Sequence, residues 1–512
     1  MGSGIGNTAS GFAAHAQGLN TTGSGDAAYS EGYSTLASGA TSHAEGNAST
    51  ASGNAAHAEG NLTQASADTA HAEGTSTVAS GIAAHSEGYA TQAMGESSHA
   101  EGSMTVAAGA EAHAEGSGTQ AWGERSHTEG FNTSTQTTAA NAHAEGEGNS
   151  VSGRAAHAEG GGVDPLGNMA PNFAGGDSSH AEGVGTTALG FASHAEGGTS
   201  DVTGSPGPLA LGDFSHAEGQ NTTASGISAH AEGVGTLASG AYAHAEGADT
   251  TADGQASHAE GFMTQALAAN SHAAGENTTV LADHPGAYIM GQNGSTRFAY
   301  SWHLANGLGV GPTLNAAVIE GATGNLYLDG TVVSPAAADY AEMFETADGR
   351  PIEPGYFVTF DDAGEKIRKA TSADGYILGV ISARPAVLAD ASDLRWHKLF
   401  VTDEWGQIQM QEVEVPEIRD ELGNVVREAF IKNEPVLNPE WNGSREYIPR
   451  REREEWVAVG IVGKLPVRDD GTCEPGGYCR PNDDGIAVPA PAGEGYRVMS
   501  RTGDRRIRIF VK

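Results

Sequence analysis

A histidine and a glutamate two residues apart, as in Ser42-His43-Ala44-Glu45-Gly46, are residue types that ligate divalent metals and pass protons. The chain prints the pair again and again. The marker histidine stands at His15, His43, His57, His71, His85, His99, His113, His127, His143, His157, His180, His194, His216, His230, His244, His258 and His272, with Tyr29 in the one vacant place. A metal site needs three or four groups converging on one point. Here His43, His57, His71, His85 and His99 form an evenly spaced row beside a second row of Glu45, Glu59, Glu73, Glu87 and Glu101. The arrangement therefore predicts structural pairing of imidazole with carboxylate, with no metal and no cofactor. Imidazoles stacked in a row repel one another once protonated, which predicts that the repeat loosens below the histidine range.

The spacing behind these residues is nearly always fourteen, and a short fixed period is the mark of a solenoid whose coils bury their inner faces only against each other. A complete unit, HAEGNASTASGNAA from His43 to Ala56, carries glycine in its fourth and eleventh places, Gly46 and Gly53. Two glycines at that separation divide the unit into two strands of about four residues, each followed by a turn. Fourteen residues cannot hold a helical hairpin, so a coil of parallel strands is predicted, stacked at about 4.8 Å per coil and about 85 Å long. Because alternate side chains are alanine, serine or threonine, such a coil has almost no core and is expected to be stable only when several chains pack together.

The chain has 512 residues, 74 of them glycine, and a net charge of −38. Residues 1–285 hold thirty acidic side chains against Arg125 and Arg154 alone, so −28 of that charge lies in the repeats. A surface of this sign repels nucleic acid and anionic membranes. No apolar run approaches a spanning length, and the amino terminus MGSGIGNTAS lacks signal-peptide character, so neither membrane insertion nor secretion is expected. The two cysteines, Cys473 and Cys479, cannot form a zinc site by themselves.

The period breaks before His143, before His180 (through Gly162-Val163-Asp164-Pro165-Leu166) and before His216 (through Gly204-Ser205-Pro206-Gly207-Pro208). Insertions between repeats that stay in register bulge from one face as loops and are candidate contact surfaces. Three regions follow: a repeat solenoid over 1–285, a β-rich connector over 286–338 with short antiparallel strands, and a mostly β domain over 339–512. In the last, YFVTF, GYILGVI, WVAVGIV and IRIFV read as strands.

The fourteen-residue unit, with its alternating motif ending in glycine, resembles the YadA-type head repeat. That resemblance implies a left-handed parallel β-roll assembled as a trimer. In that family the two motif side chains standing at the His and Glu places are branched aliphatics, so a polar ladder here replaces a greasy one.

The domain opening Ala338-Asp339-Tyr340-Ala341-Glu342-Met343-Phe344-Glu345 is followed by KIRKA, GYILGVIS, DEWGQIQ, EYIPR, AVGIVGKLPVRDDGTC and RPNDDGIA. Together they resemble the carboxy-terminal intramolecular chaperones with autoproteolytic activity called peptidase G2. The resemblance implies a domain that registers three chains and severs itself at Ala338-Asp339, with Asp339 and Glu342 as the acid/base pair. Two carboxylates can cleave an amide when their surroundings separate their pKa values. On spacing alone, Asp-x-x-Glu is a capping box opening a helical turn, and that reading stands beside the catalytic one. No Gly-x-Ser-x-Gly elbow, phosphate-binding loop or HExxH motif is present.

The expected protein is thus an all-β, homotrimeric phage tail fibre or appendage, made in the host cytoplasm and carried on the virion. It would contact a host receptor or glycan and other virion tail proteins, and its only enzymatic act would be a single self-cleavage. A bacterial trimeric adhesin or a glycan-degrading tailspike are the alternatives.

Overall fold

A computed structural model of the chain describes residues 2–307, 315–333, 338–392, 398–419, 425–427, 429–444 and 446–512. It contains two compact units, Met1–Gly330 and Thr331–Lys512.

In the first unit each turn of chain lays down two strands, and each pairs in parallel with its equivalent in the next turn. His43 lies beside His57 and Glu45 beside Glu59; Thr50 lies beside Leu36 and Ala51 beside Ala37. The strands are unequal, five residues in His43–Asn47 and two in Thr50–Ala51, rather than two of similar length. The reason lies in the turns. Each coil passes three times through the left-handed region, at Gly46 (φ 98°), Ala48 (φ 54°) and Ala55 (φ 56°). For the two alanines this conformation costs about 1 kcal/mol or more each. It persists because their N–H groups donate to the preceding coil, Ala48 to the Tyr33 carbonyl and Ala55 to the Ala40 carbonyl, both at 2.8 Å.

Gly46 meets two demands, since a Cβ there would also lie 2.1 Å from the Gly60 carbonyl oxygen. Gly53 is outside the left-handed region, and its Cβ would meet the Ala67 carbonyl oxygen. Yet three coils hold alanine in that same place, Ala67, Ala139 and Ala268, so the eleventh place admits a methyl group where the neighbouring carbonyl gives way.

The inside of the stack is a column of methyl groups. Ala44, Ala51, Ala56 and Ala58 are each no more than 1% exposed, whereas His43 and Glu45 flank Ala44 on the outer side and remain half-buried. One buried methyl is worth about 0.8 kcal/mol, so a coil gains little from its own interior and most from the ladder bonds to its neighbours. Where the motif alanine becomes serine, the hydroxyl finds a partner inside: Ser30 Oγ and Ser86 Oγ lie 2.8 Å from Thr35 Oγ1 and Thr91 Oγ1.

Parallel stacking passes residue 285 without a break. Tyr288–Met290 pairs with the His272–Val280 strand and with Trp302–Ala305, and Ile289 continues the buried column. The boundary expected at 285 falls inside this stack because the inward row of apolar residues does not stop there. Antiparallel pairing begins only with Asn315–Ile319 and Leu326–Leu328.

The second unit is built on a ten-stranded sheet. Its longest strand, Trp456–Arg468, pairs with Asp339–Glu345 and Gly379–Ile381 through its first half and with Arg506–Val511 through its second. Phe357, Val380, Leu465, Val467, Ile507 and Ile509 form one core; Val358, Ile367, Ile381 and Val459 form another. Cys473 and Cys479 are free thiols inside the first. Burial pushes them up to about 11 and about 12, so neither is a thiolate near neutral pH. Apart from this sheet stands a ribbon, Met410–Val415 paired with Phe430–Pro435. Among the described residues the single helical element is the short turn Arg450–Glu452, and no helix is long and apolar enough to cross a membrane.

The two glycine places make a comparison. Gly102→Ala, at φ 101° and with a carbonyl 2.2 Å from the new Cβ, is expected to destabilise the solenoid by about 2 kcal/mol or more. Gly95→Ala also brings its Cβ near a carbonyl, that of Gly109 at 1.9 Å, but it lies outside the left-handed region in a place that Ala67 fills in another coil, and it is expected to cost less. Circular dichroism melts of the two variants check this ordering.

Candidate functional site

Asp339 and Glu342 lie on a strand, Asp339–Glu345, and not at the start of a helical turn. Pairing with Trp456–Arg468, more than a hundred residues downstream, decides this, so the capping-box reading of the spacing is corrected. On a strand, residues three apart face opposite sides. Asp339, Ala341 and Met343 point inward and are buried; Tyr340 is exposed and Glu342 half-buried. Glu342 Oε1 accepts from the Tyr340 hydroxyl at 3.2 Å. Within one chain the two carboxylates are therefore not brought together.

The surroundings of Asp339 are unusual for a buried acid. The residue is 6% exposed, and its Oδ2 is buried with no hydrogen-bond partner among the described residues. An orphan oxygen of this kind carries a cost of about 1–3 kcal/mol. The preceding residue, Ala338, is exposed, so the Ala338-Asp339 peptide runs from solvent into the sheet. Its carbonyl oxygen accepts the Lys464 N–H at 3.2 Å, and the Asp339 carbonyl accepts the Ala386 N–H at 2.8 Å.

The histidine and glutamate rows form two ladders on the outer face of the solenoid. Successive imidazoles stack face to face, His43 on His57 at 4.7 Å and His57 on His71 at 4.7 Å, nearly parallel. The carboxylate nearest an imidazole commonly belongs to the preceding coil: His85 Nε2 lies 3.6 Å from Glu73 and His113 Nε2 3.3 Å from Glu101. Only some pairs close to hydrogen-bond length, as His127 to Glu115 at 3.1 Å does. The Nε2 atoms of His43, His57, His71, His85 and His99 are shielded from solvent without a hydrogen-bond partner among the described residues. The expected imidazole-to-carboxylate pairing is thus loose along much of the stack. Groups such as His43, Glu45 and His57 bring candidate ligand atoms within 4.8 Å of one another, but stacked parallel rings aim their nitrogen lone pairs side by side rather than at one point.

Proton affinities in the two ladders move in opposite directions. Burial, then repulsion from neighbouring imidazoles, lowers His71 and His99 below the usual histidine value. Among the carboxyls, hydrogen bonding to the carboxylate of an adjacent coil raises Glu45, Glu73 and Glu101 to about 7, while the intervening Glu59 and Glu87 are lowered by accepting those bonds. Along this stretch alternate carboxyls thus hold a proton more tightly than their neighbours do, a difference that the spacing alone did not disclose.

The two longer insertions meet at one carboxylate. Asp164 is 3% exposed; its Oδ1 accepts the N–H groups of Leu166 and Asn168, and its Oδ2 accepts the Asn168 side chain and the Val202 N–H. Burial pushes its pKa upward, but the four hydrogen bonds outweigh this and bring it down to about 2. A groove of about 590 Å³ runs beside this clasp, lined by Val163, Pro165, Val184, Thr199, Ser200 and Gln220. Val163, which lines it, and Leu166 and Met169 of the same insertion are exposed.

Residues 292–505 match the Peptidase G2, IMC autoproteolytic cleavage domain, which reaches back into the last parallel coils. The pre-neck appendage protein of Bacillus phage B103 is 35% identical over 156 residues, 30% of this chain and 16% of that protein. The pre-neck appendage protein of Bacillus phage phi29 is 34% identical over 139 residues, 27% of this chain and 15% of that one. The chain thus spans less than a fifth of the length of these relatives. Among solved structures, the C-terminal fragment of bacteriophage phi29 gene product 12 is 31% identical with a TM-score of 0.27, over 34% of this chain and all of the fragment.

Two measurements test these arrangements. A histidine whose folded pKa is lowered supports folding fully above about 6.5, and that support is lost as pH falls below it. A glutamate raised to about 7 supports folding fully below its ordinary value near 4.5, and that support is lost as pH rises through 7. The two trends offset each other between pH 7 and 5, so the loosening expected from histidine alone is masked. The triple variant Glu45→Gln, Glu73→Gln, Glu101→Gln is expected to lose several degrees of melting temperature between pH 7 and 5, with the unaltered chain changing less; equal shifts would count against the raised carboxyls. For the clasp, Asp164→Ala is expected to open 199–208 to limited proteolysis at sites protected in the unaltered chain.

Proposed function

We propose that this chain, which carries a Peptidase G2 domain and is similar to phage pre-neck appendage proteins, is a structural virion component whose C-terminal domain assists assembly and then cuts itself free at Ala338-Asp339. The observation that carries the reading is the Asp339 carboxyl: buried, with an unpaired Oδ2, at the point where an exposed peptide enters the sheet. A native fold tolerates such an oxygen where it has chemistry to do. The reaction is one hydrolysis. A water, activated by one carboxylate, adds its oxygen to the Ala338 carbonyl carbon as the bond to the Asp339 nitrogen breaks. The nitrogen leaves with a proton from the other carboxyl, and the products end in a carboxylate at Ala338 and an amine at Asp339. Because Asp339 and Glu342 face opposite sides of their strand, Glu342 acts on a peptide of another copy or after the strand end shifts. Either route ties cleavage to assembly.

A left-handed roll wound as a homotrimer is the form we assign to the solenoid. Its support is the half-buried ladder face, where shielded imidazole nitrogens lack a hydrogen bond among the described residues, and the two-stranded ribbon Met410–Val415 with Phe430–Pro435. Two strands without a third are marginal in water, and this ribbon presents Ile431 at 69% and Trp405, just before it, at 81% exposure. Host attachment through a surface receptor or glycan is assigned to the clasped insertions, with their exposed apolar edge, and the other ends of the assembly are left to virion tail proteins.

Expression of the full chain, followed by denaturing gel and intact-mass measurement, tests the cleavage. Products corresponding to 1–338 and 339–512 are expected from the unaltered sequence, and only the intact chain from Asp339→Ala and from Glu342→Ala. Intact chains in all three would end the proposal. Sedimentation equilibrium of the Asp339→Ala chain, which stays whole, is expected to give three times the chain mass, and a well-folded single chain would refute the trimer.

A further inference from the structure

The strand facing the scissile peptide is shaped around it. Asp339 is paired with Gly463 in register, and one pair further on, between Tyr340 and Ala341, the register slips past Ile461. Gly463 has φ +122°, and a Cβ on it would lie 2.2 Å from the Ala338 carbonyl oxygen and 2.8 Å from the Asp339 Cα. A Cβ on Gly460 would lie 3.0 Å from Asp339 Oδ2. Gly463 therefore clears the space that the scissile carbonyl occupies, whereas a Cβ on Gly460 would first meet Leu465 Cδ2 at 2.5 Å. The residue after the first of them turns its N–H onto the Ala338 carbonyl oxygen at 3.2 Å.

We infer that the Lys464 backbone N–H, brought within reach by Gly463, is the oxyanion donor for self-cleavage, a role that rests on the reaction proposed above. When oxygen adds to the Ala338 carbonyl carbon, the carbonyl π electrons move onto its oxygen, and a fixed N–H already aimed there binds that charge more tightly than it binds the neutral amide. Collapse of the adduct returns those electrons as the C–N bond breaks. The lysine side chain has no part in this, because the donor belongs to the backbone. Gly463, beside the carbonyl, is a positioning residue.

The test uses full-length chains and follows the appearance of 339–512 with time. Lys464→Ala keeps the N–H and is the control for loss of the side chain alone. Lys464→Pro removes it and is expected to slow cleavage about 10²–10³-fold. Sedimentation and circular dichroism are expected to be unchanged in both. An oxyanion donor does not titrate, so the slowed variant is expected to keep the pH profile of the unaltered chain, whereas general misfolding would lose assembly and profile together. Gly463→Ala is the second variant: it leaves the N–H but crowds the carbonyl oxygen away, and it too is expected to cleave slowly from an assembled state. Should the unaltered chain fail to cleave, the reaction itself is refuted. Should it cleave while Lys464→Pro, or Gly463→Ala if the proline variant does not fold, proceeds at the same rate, this inference is overturned and the reaction stands.

Discussion

Hydrogen bonding between successive coils is the interaction on which the rest of the solenoid depends. The interior is a column of alanine methyls, too little apolar area to hold a coil by itself. Two non-glycine residues in a typical coil sit in a left-handed conformation that costs free energy and persists only because each donates to the coil before it. A coil is therefore a structure only in the presence of its neighbours, and the repeat has the nearest-neighbour character expected of such stacks. The outer ladders follow from the same register. Fixing every histidine above the next at 4.8 Å also fixes every glutamate above the next, so carboxyls such as Glu45 and Glu73 are pushed up by the carboxylates beside them.

Much of this was legible in the chain, for physical reasons that can be stated residue by residue. The period of fourteen, the invariant glycine typified by Gly46 and the small inward residues typified by Ala44 all reflect constraints felt by every coil, so they are printed in every coil. The positions of Ala48 and Ala55 were not legible, because the stack rather than the residue type holds their backbone. The meeting of Asp164 with Val202 was not legible either, since it joins insertions thirty-eight residues apart through one side chain. For Asp339 the short-range spacing pointed to a helix cap, and a strand arriving from residues 456–468 overrode it. The alternation of Asp339, Ala341 and Met343 with Tyr340, Glu342 and Phe344 was the signal that favoured a strand.

The two units also differ in how they deal with polar groups. In the solenoid a strained or unpaired atom is repeated and its burden is spread along the stack. In the second unit Asp374 accepts from the Arg368 guanidinium and from both the hydroxyl and the backbone N–H of Thr371, and the buried Asp469 accepts from Arg501. Against that background the unpaired Oδ2 of Asp339 stands out, because its own unit shows what a settled buried carboxylate looks like.

The coil-to-coil bonds run along the axis of the stack, and this has a mechanical consequence. A pull applied sideways to the strands loads many short bonds in parallel, but a pull along the axis loads each interface in series, so the weakest interface sets the strength of the whole. The coils flanking the insertions are bridged a second time by the Asp164 clasp, which places a reinforcing strap across interfaces where added loops would otherwise invite rupture.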